Sequence, residues 1–223
     1  MLLRCCGLRI AIISDTASGR HLVCIMMLLP SADSPQAASI NDLLLGWDGE
    51  KDLWVFAYGS LIWRPNFSWQ ERRLATVRGY HRSLCLWSHD HRGSPDLPGL
   101  VFGLDRGGCC RGVAYRIAAA DVLPTFDMLW QREMVRGAYV PRWLNCETEA
   151  EAVRGLVFLL NRRCDDYAQG LSDDLLLDAV RRAVGQSGRC LDYVVQTERA
   201  LRESGIDDCR LAELVRRLVH TSP

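Results

Sequence analysis

The sequence predicts an α+β fold, with a mixed or antiparallel sheet curled into a small barrel and flanked by helices. Three observations carry this prediction. Short apolar runs rich in β-formers crowd residues 53–160, helical periodicity dominates from Ser172 onward, and the strand–helix alternation of a doubly wound sheet is missing. The 223 residues are 48% hydrophobic and 24% charged, enough to bury a core in one large domain with a tail.

The first strand is expected at Leu53-Trp54-Val55-Phe56-Ala57-Tyr58, an apolar run that Gly59-Ser60 ends abruptly. Residues 74–87 read as one or two strands interrupted at Gly79. Residues 100–104 and 112–117 flank Asp105-Arg106-Gly107-Gly108, which predicts a hairpin there. A helix follows, with Asp121 as N-cap and Pro124 in its first turn, carrying Phe126, Leu129, Trp130 and Met134. Residues 139–144 and 153–160 read as two further strands. Three helices close the chain: one capped by Ser172 and running to Val184 before Gly185, one over 191–203 stopped by Gly205, and one over 207–219.

Residues 1–50 read differently and are expected to be a flexible N-terminal extension, leaving residues 51–223 as the folded domain. Residues 31–39 have linker composition, and a short helix or turn is expected near residues 40–45. Arg9 interrupts the apolar patch of residues 8–13, which argues against a secretory signal. A start at Met26 or Met27 is the alternative to a true extension. No apolar run reaches membrane-spanning length.

Formal net charge is zero, which offers no electrostatic reason to expect nucleic acid or an acidic membrane as partner. Ten cysteines lack C-x-x-C spacing, and several lie in apolar strings. A reduced cytoplasmic protein is therefore expected, with no metal site. The one dense ligand-like group, His89-Asp90-His91, reads as a turn.

Two features carry candidate chemistry. Tyr58-Gly59-Ser60-Leu61 leaves the most apolar strand through a glycine, where successive N–H groups can form a nest for a carboxylate or an oxyanion. A plain turn is the alternative. Val122, Phe126, Leu129 and Glu133 are spaced four, three and four apart, so Glu133 ends a helical stripe that should face the core. A carboxyl group in a dry setting titrates high and can serve as a general base or acid. An ion pair with Arg132 or Arg136, or a helix end in solvent, is the alternative. No G-x-S-x-G elbow, Walker loop or dinucleotide fingerprint occurs.

The run Trp54-Val55-Phe56-Ala57-Tyr58-Gly59-Ser60-Leu61-Ile62-Trp63-Arg64-Pro65-Asn66-Phe67 resembles the opening strand and loop of the ChaC family of γ-glutamylcyclotransferases. Arg78-Gly79-Tyr80-His81-Arg82, His91-Arg92-Gly93-Ser94, Pro98-Gly99 and Gly112-Val113-Ala114-Tyr115 resemble the next family blocks in order. Leu129-Trp130-Gln131-Arg132-Glu133-Met134 resembles the segment with the catalytic glutamate, and Ser187-Gly188 before Leu191-Asp192-Tyr193 fits the C-terminal part. The similarity spans about residues 53–218, with departures at Ala57, where a glycine is frequent, and around residues 136–139.

The resemblance implies degradation of glutathione to 5-oxoproline and Cys-Gly, without cofactor. By resemblance, Val55, Phe56, Ala57, Tyr58, Gly59, Ser60 and Leu61 hold the γ-glutamyl group and Glu133 accepts a proton. Arg92 and Tyr193 are candidates for the glycine end. The rival expectations are action on other γ-glutamyl amino acids or amines, a non-catalytic ligand-binding regulator, and a thiol-based redox protein.

Overall fold

The structure, a computed structural model, describes residue 47, residues 49–134 and residues 137–220. The expectations for residues 1–46, and a pairing of Glu133 with Arg136, lie outside the described residues. Five strands close a mixed barrel in the order β1-β3-β2-β4-β5: β1 (Leu53–Ala57), β2 (Glu71–Ser88), β3 (Gly99–Ile117), β4 (Tyr139–Thr148) and β5 (Ala152–Leu160). β1 runs antiparallel to β3 and parallel to β5. Closure gives every barrel strand a neighbour on both sides for at least part of its length.

β1 lies between two strands, which explains its unbroken apolar run. Val55, Phe56 and Ala57 are completely buried, and facing Val113, Tyr115, Ile117 and Leu156 are nearly so. Each large apolar side chain removed from water contributes about 1.5–3 kcal/mol.

The hairpin expected at residues 105–108 is not there. β3 runs straight through these residues, paired along its length with β2. Arg78 pairs with Cys109 but Tyr80 with Arg106, so Gly79 on one strand faces Gly107 and Gly108 on the other. All three glycines have positive φ, 84°, 99° and 71°. They bend a long two-stranded ribbon at a bulge instead of ending a strand. The actual β2–β3 connection is residues 89–98, and it reaches the candidate site.

Helix α1 (Ala119–Glu133) starts two residues before Asp121, with Ala118 at the N-cap. The cap is supplied from elsewhere: the Ala119 N–H donates to Asp52 Oδ1 at 3.0 Å. Pro124 consequently lies in the second turn. α1 buries Val122, Phe126 and Leu129, as their spacing predicts, and ends on Glu133.

Helix α2 (Asp173–Arg182) is capped by Ser172 as expected, but ends before Val184. Val184–Gly185 instead forms β6, paired with β7 (Gly188–Arg189). The reason is tertiary. Gln186 and Ser187 donate their N–H groups to the carbonyls of Asp90 and His91 at 2.8 and 2.9 Å, stitching this hairpin to the β2–β3 connection. A Cβ on Gly185 would meet that backbone at 2.5 Å. Helices α3 (Cys190–Glu203) and α4 (Cys209–His220) follow, close to their expected positions. Among the described residues no helix is long and apolar enough to cross a membrane.

Gly112 shows how tightly the barrel closes beside the β1 exit. A Cβ there would lie 2.3 Å from the Ala57 carbonyl oxygen and 2.7 Å from Phe56 Cζ. Backbone cannot yield cheaply, so Gly112→Ala is expected to destabilise the domain by about 1–3 kcal/mol. A urea titration followed by tryptophan fluorescence reads the loss; an unchanged midpoint would contradict the packing.

Candidate active site

β1 delivers Tyr58 to the barrel rim, where the chain turns into a short 3-10 helix (Ser60–Ile62). The turn uses its own carbonyls: Gly59 O accepts from Ile62 N at 3.0 Å, and Ser60 O accepts from Trp63 N and Arg64 N at 3.2 and 2.7 Å. The N–H groups of Ser60 and Leu61 open this helix and have no acceptor within it. Tyr58 is pinned at both ends. Its hydroxyl donates to Phe158 O at 2.9 Å, and its carbonyl accepts from Arg82 Nε at 2.6 Å.

Glu133 faces this turn. Tyr58, Gly59, Ser60 and Leu61 line a small hollow of about 30 Å³ together with Glu133, Phe102, Tyr139, Phe158 and Tyr193. Ser60, Glu133, Tyr139 and Tyr193 also line a larger cleft of about 350 Å³. That volume suits a small organic ligand. The remaining residues expected to bind substrate, Val55, Phe56 and Ala57, lie inside β1 and do not line the hollow.

The Glu133 side chain is only 15% exposed. Loss of water raises its pKa above the ordinary carboxylate value, and the Arg132 guanidinium, with Nε 3.1 Å from Oε1, opposes that rise. Both readings of this residue therefore apply: it faces a hollow and it has an arginine partner. Arg132 also donates to Ser60 Oγ at 2.6 Å and to Arg64 O at 2.9 Å. One guanidinium thus ties the helix end to the turn.

Three tyrosines surround the acid, and its charge adds to the upward pKa shift that burial causes at Tyr58, Tyr139 and Tyr193. Tyr139 donates to Phe102 O at 2.9 Å. Tyr193 accepts from Phe102 N at 3.1 Å, which leaves its own proton available to a ligand. Sequence reasoning missed Tyr139, Phe102 and Phe158 as lining residues. They come from different strands, so no spacing pattern connects them to the turn. The proximity of Arg132 to Glu133 was legible, but its grip on Ser60 was not.

Elsewhere, His89 Nε2 lies 3.3 Å from Asp166 Oδ1 and His91 Nδ1 lies 3.2 Å from Ser187 Oγ. Among the described residues no group of three or more His, Cys, Asp or Glu could hold a metal ion. Burial pushes the thiols of Cys85, Cys110 and Cys190 up to about 11 and that of Cys146 up to about 12. Those four are poor thiolates, which works against redox chemistry at these positions.

Residues 53–221 match the model of the ChaC-like protein family. The glutathione-specific γ-glutamylcyclotransferase of Escherichia coli (strain K12) is 32% identical over 84% of this chain and 81% of its own length. Glutathione-specific γ-glutamylcyclotransferase 1 of Mus musculus is 32% identical over 75% of this chain and 77% of its own. Among solved structures, a γ-glutamyl cyclotransferase specific to glutathione from yeast superposes with a TM-score of 0.70 at 20% identity, covering 78% of this chain and 99% of that one. With a family match across most of the chain and a barrel of the same fold as the yeast protein, the chain belongs to the ChaC-like family.

Proposed function

We propose that this protein degrades glutathione as a γ-glutamylcyclotransferase, closing the γ-glutamyl group to 5-oxoproline and releasing Cys-Gly. The observation that carries this reading is the meeting of one buried carboxylate, Glu133, with the Tyr58–Leu61 turn across a single hollow. The names of the relatives support glutathione as the substrate.

In this mechanism the substrate's α-amine attacks its own γ-carbonyl carbon. The new C–N bond closes the lactam ring as the amide bond to cysteine breaks. A peptide-like α-amine has a pKa of about 8 and is mainly protonated at neutral pH. Glu133 takes its proton and passes one to the departing cysteinyl nitrogen. The raised pKa of Glu133 narrows the gap to the amine and makes that transfer less uphill. The N–H groups of Ser60 and Leu61 fix the α-carboxylate or the developing oxyanion. Loss of one such donor commonly costs about 3 kcal/mol of transition-state stabilisation. Nucleophile and electrophile belong to one molecule, so holding the folded substrate in the hollow is the enzyme's main task.

The catalytic domain in this reading is residues 51–223, supported by the family match, and its location is the cytoplasm, supported by a cysteine-rich sequence with free core thiols. Mass spectrometry of the purified full chain with glutathione tests the proposal. 5-Oxoproline and Cys-Gly are expected in equal amounts, with slower turnover of γ-glutamyl-alanine. Equal use of γ-glutamyl-alanine would indicate the broader activity, and binding without any turnover would favour the non-catalytic regulator.

A further inference from the structure

The larger cleft contains a buried cation that forms no ion pair among the described residues. Arg92 is 8% exposed and sits on the β2–β3 connection. Its guanidinium lies 5.1 Å over the Tyr193 ring and 5.9 Å from the centroid of Trp63. Nη1 donates to Ser187 O at 2.5 Å, and the side chain has no further hydrogen bond and no ion pair among the described residues. A guanidinium carries five N–H donors, so most of this fork is unused. Burial also lowers the Arg92 pKa, a sign that the charge is poorly solvated.

Two other arginines at the site are met differently. Arg82, whose side chain is 4% exposed, has Asp208 and two backbone carbonyls. Arg132 has Glu133, Ser60 and the Arg64 carbonyl. Acids do lie nearby, but Glu133 pairs with Arg132, Asp166 faces His89, and neither these nor Asp90 on the cleft wall forms an ion pair with Arg92 among the described residues; Asp192 contributes only a longer-range attraction. Arg64 lines the same cleft and adds positive charge near Arg92. A buried, flat, stacked guanidinium with free donors is suited to a carboxylate, which it can bind through two parallel hydrogen bonds.

The position fits one particular carboxylate. Tyr193 links the two parts of the site. Its hydroxyl is 3.5 Å from where a Cβ on Gly59 would lie, and its ring packs under Arg92. One tyrosine side chain therefore separates the turn from the guanidinium. A two-residue leaving group spans about 7 Å when extended, the same scale.

We infer that Arg92 binds the terminal carboxylate of the peptide leaving group, and so selects γ-glutamyl peptides over γ-glutamyl amines and carboxyl-blocked analogues. The inference rests on the proposed γ-glutamyl reading of the hollow. Arg92 is then a specificity-determining residue whose effect falls mainly on KM.

The test compares glutathione with its glycyl ethyl ester, which lacks that charge, in the parent enzyme, Arg92→Gln and Arg92→Lys. The parent should favour glutathione by about 10–100-fold in kcat/KM, the range for a hydrogen-bonded charge. Arg92→Gln should erase most of that preference by raising KM for glutathione, with little change for the ester. Arg92→Lys should fall between. Equal losses on both substrates would make Arg92 a structural tie to Ser187 and overturn the inference. If Arg92→Gln does not fold, the parent decides: equal calorimetric affinity for glutathione and its ester overturns the assignment. Failure of the parent to turn over either substrate while still binding glutathione more tightly than the ester would count against the cyclotransferase reading and leave the carboxylate site standing.

Discussion

Glu133→Gln should cut 5-oxoproline formation from glutathione by about 10²–10⁴-fold, the usual contribution of a positioned general base. KM should change little, because the amide keeps the size of the carboxyl group. The same substitution should make the protein more stable at neutral pH. The folded-state pKa of Glu133 is raised by burial, so the native protein holds this proton more tightly than the unfolded chain does. The stability contribution is full below the unfolded carboxylate pKa and is lost as pH rises through the raised folded value. At neutral pH the ionised acid is a cost that glutamine removes. Each kcal/mol relieved raises Tm by about 2–4 °C in a chain of this size. In the parent enzyme, turnover should fall as acidification protonates Glu133, and that limb should begin above the ordinary carboxylate range. Near-parental turnover by Glu133→Gln would remove this residue from the chemistry. A lower Tm would contradict its desolvation.

Arg82→Met should destabilise the domain by about 2–4 kcal/mol, a little below the range for breaking a fully buried ion pair, because Asp208 keeps 23% of its side chain exposed. Arg82 contacts three separate parts of the chain: the Tyr58 carbonyl at the site, the Arg111 carbonyl on β3, and Asp208. Asp208 caps α4 through the Leu211 N–H at 3.1 Å, so the substitution weakens the seat of the last helix as well. It also frees the Tyr58 carbonyl and loosens the turn whose N–H groups are proposed to hold substrate. Guanidinium chloride unfolding reads the stability loss, and kcat at a temperature where the variant is folded reads the second effect. A variant that unfolds like the parent would show that the three contacts offset only their own desolvation.

Much of the site was legible in the sequence because its chemistry is local. The spacing of Val122, Phe126 and Leu129 predicts which face of α1 is buried, and Glu133 follows on that face. Gly59 after an apolar strand predicts a turn with open N–H groups. The misreadings have a common cause. Gly107-Gly108 and Gly79 look like chain reversals in isolation, yet each supplies the positive φ of a bulge in a continuous β2–β3 ribbon. Gly185 looks like a helix stop, but it sits against the His91 backbone. A glycine records either a left-handed backbone, as at Gly79, Gly107 and Gly108, or a neighbour that leaves no room for a side chain, as at Gly185. Which of the two applies, and in what setting, depends on the packed structure.

The sequence alone determined the succession from strands to helices, the buried stripe of α1, the turn after β1 and the blocks of the ChaC-like pattern. Each depends on residues within a few positions of one another, where periodicity and backbone preference act directly. Tertiary structure decided the rest: barrel closure through the parallel β1–β5 pair, the Arg132 clamp between helix and turn, the ring of Tyr58, Tyr139 and Tyr193, and the seating of the Arg92 guanidinium over Tyr193 with one hydrogen bond, to Ser187. Those arrangements join residues distant in the chain. Their energies come from desolvation and long-range hydrogen bonds, which a one-dimensional pattern does not encode.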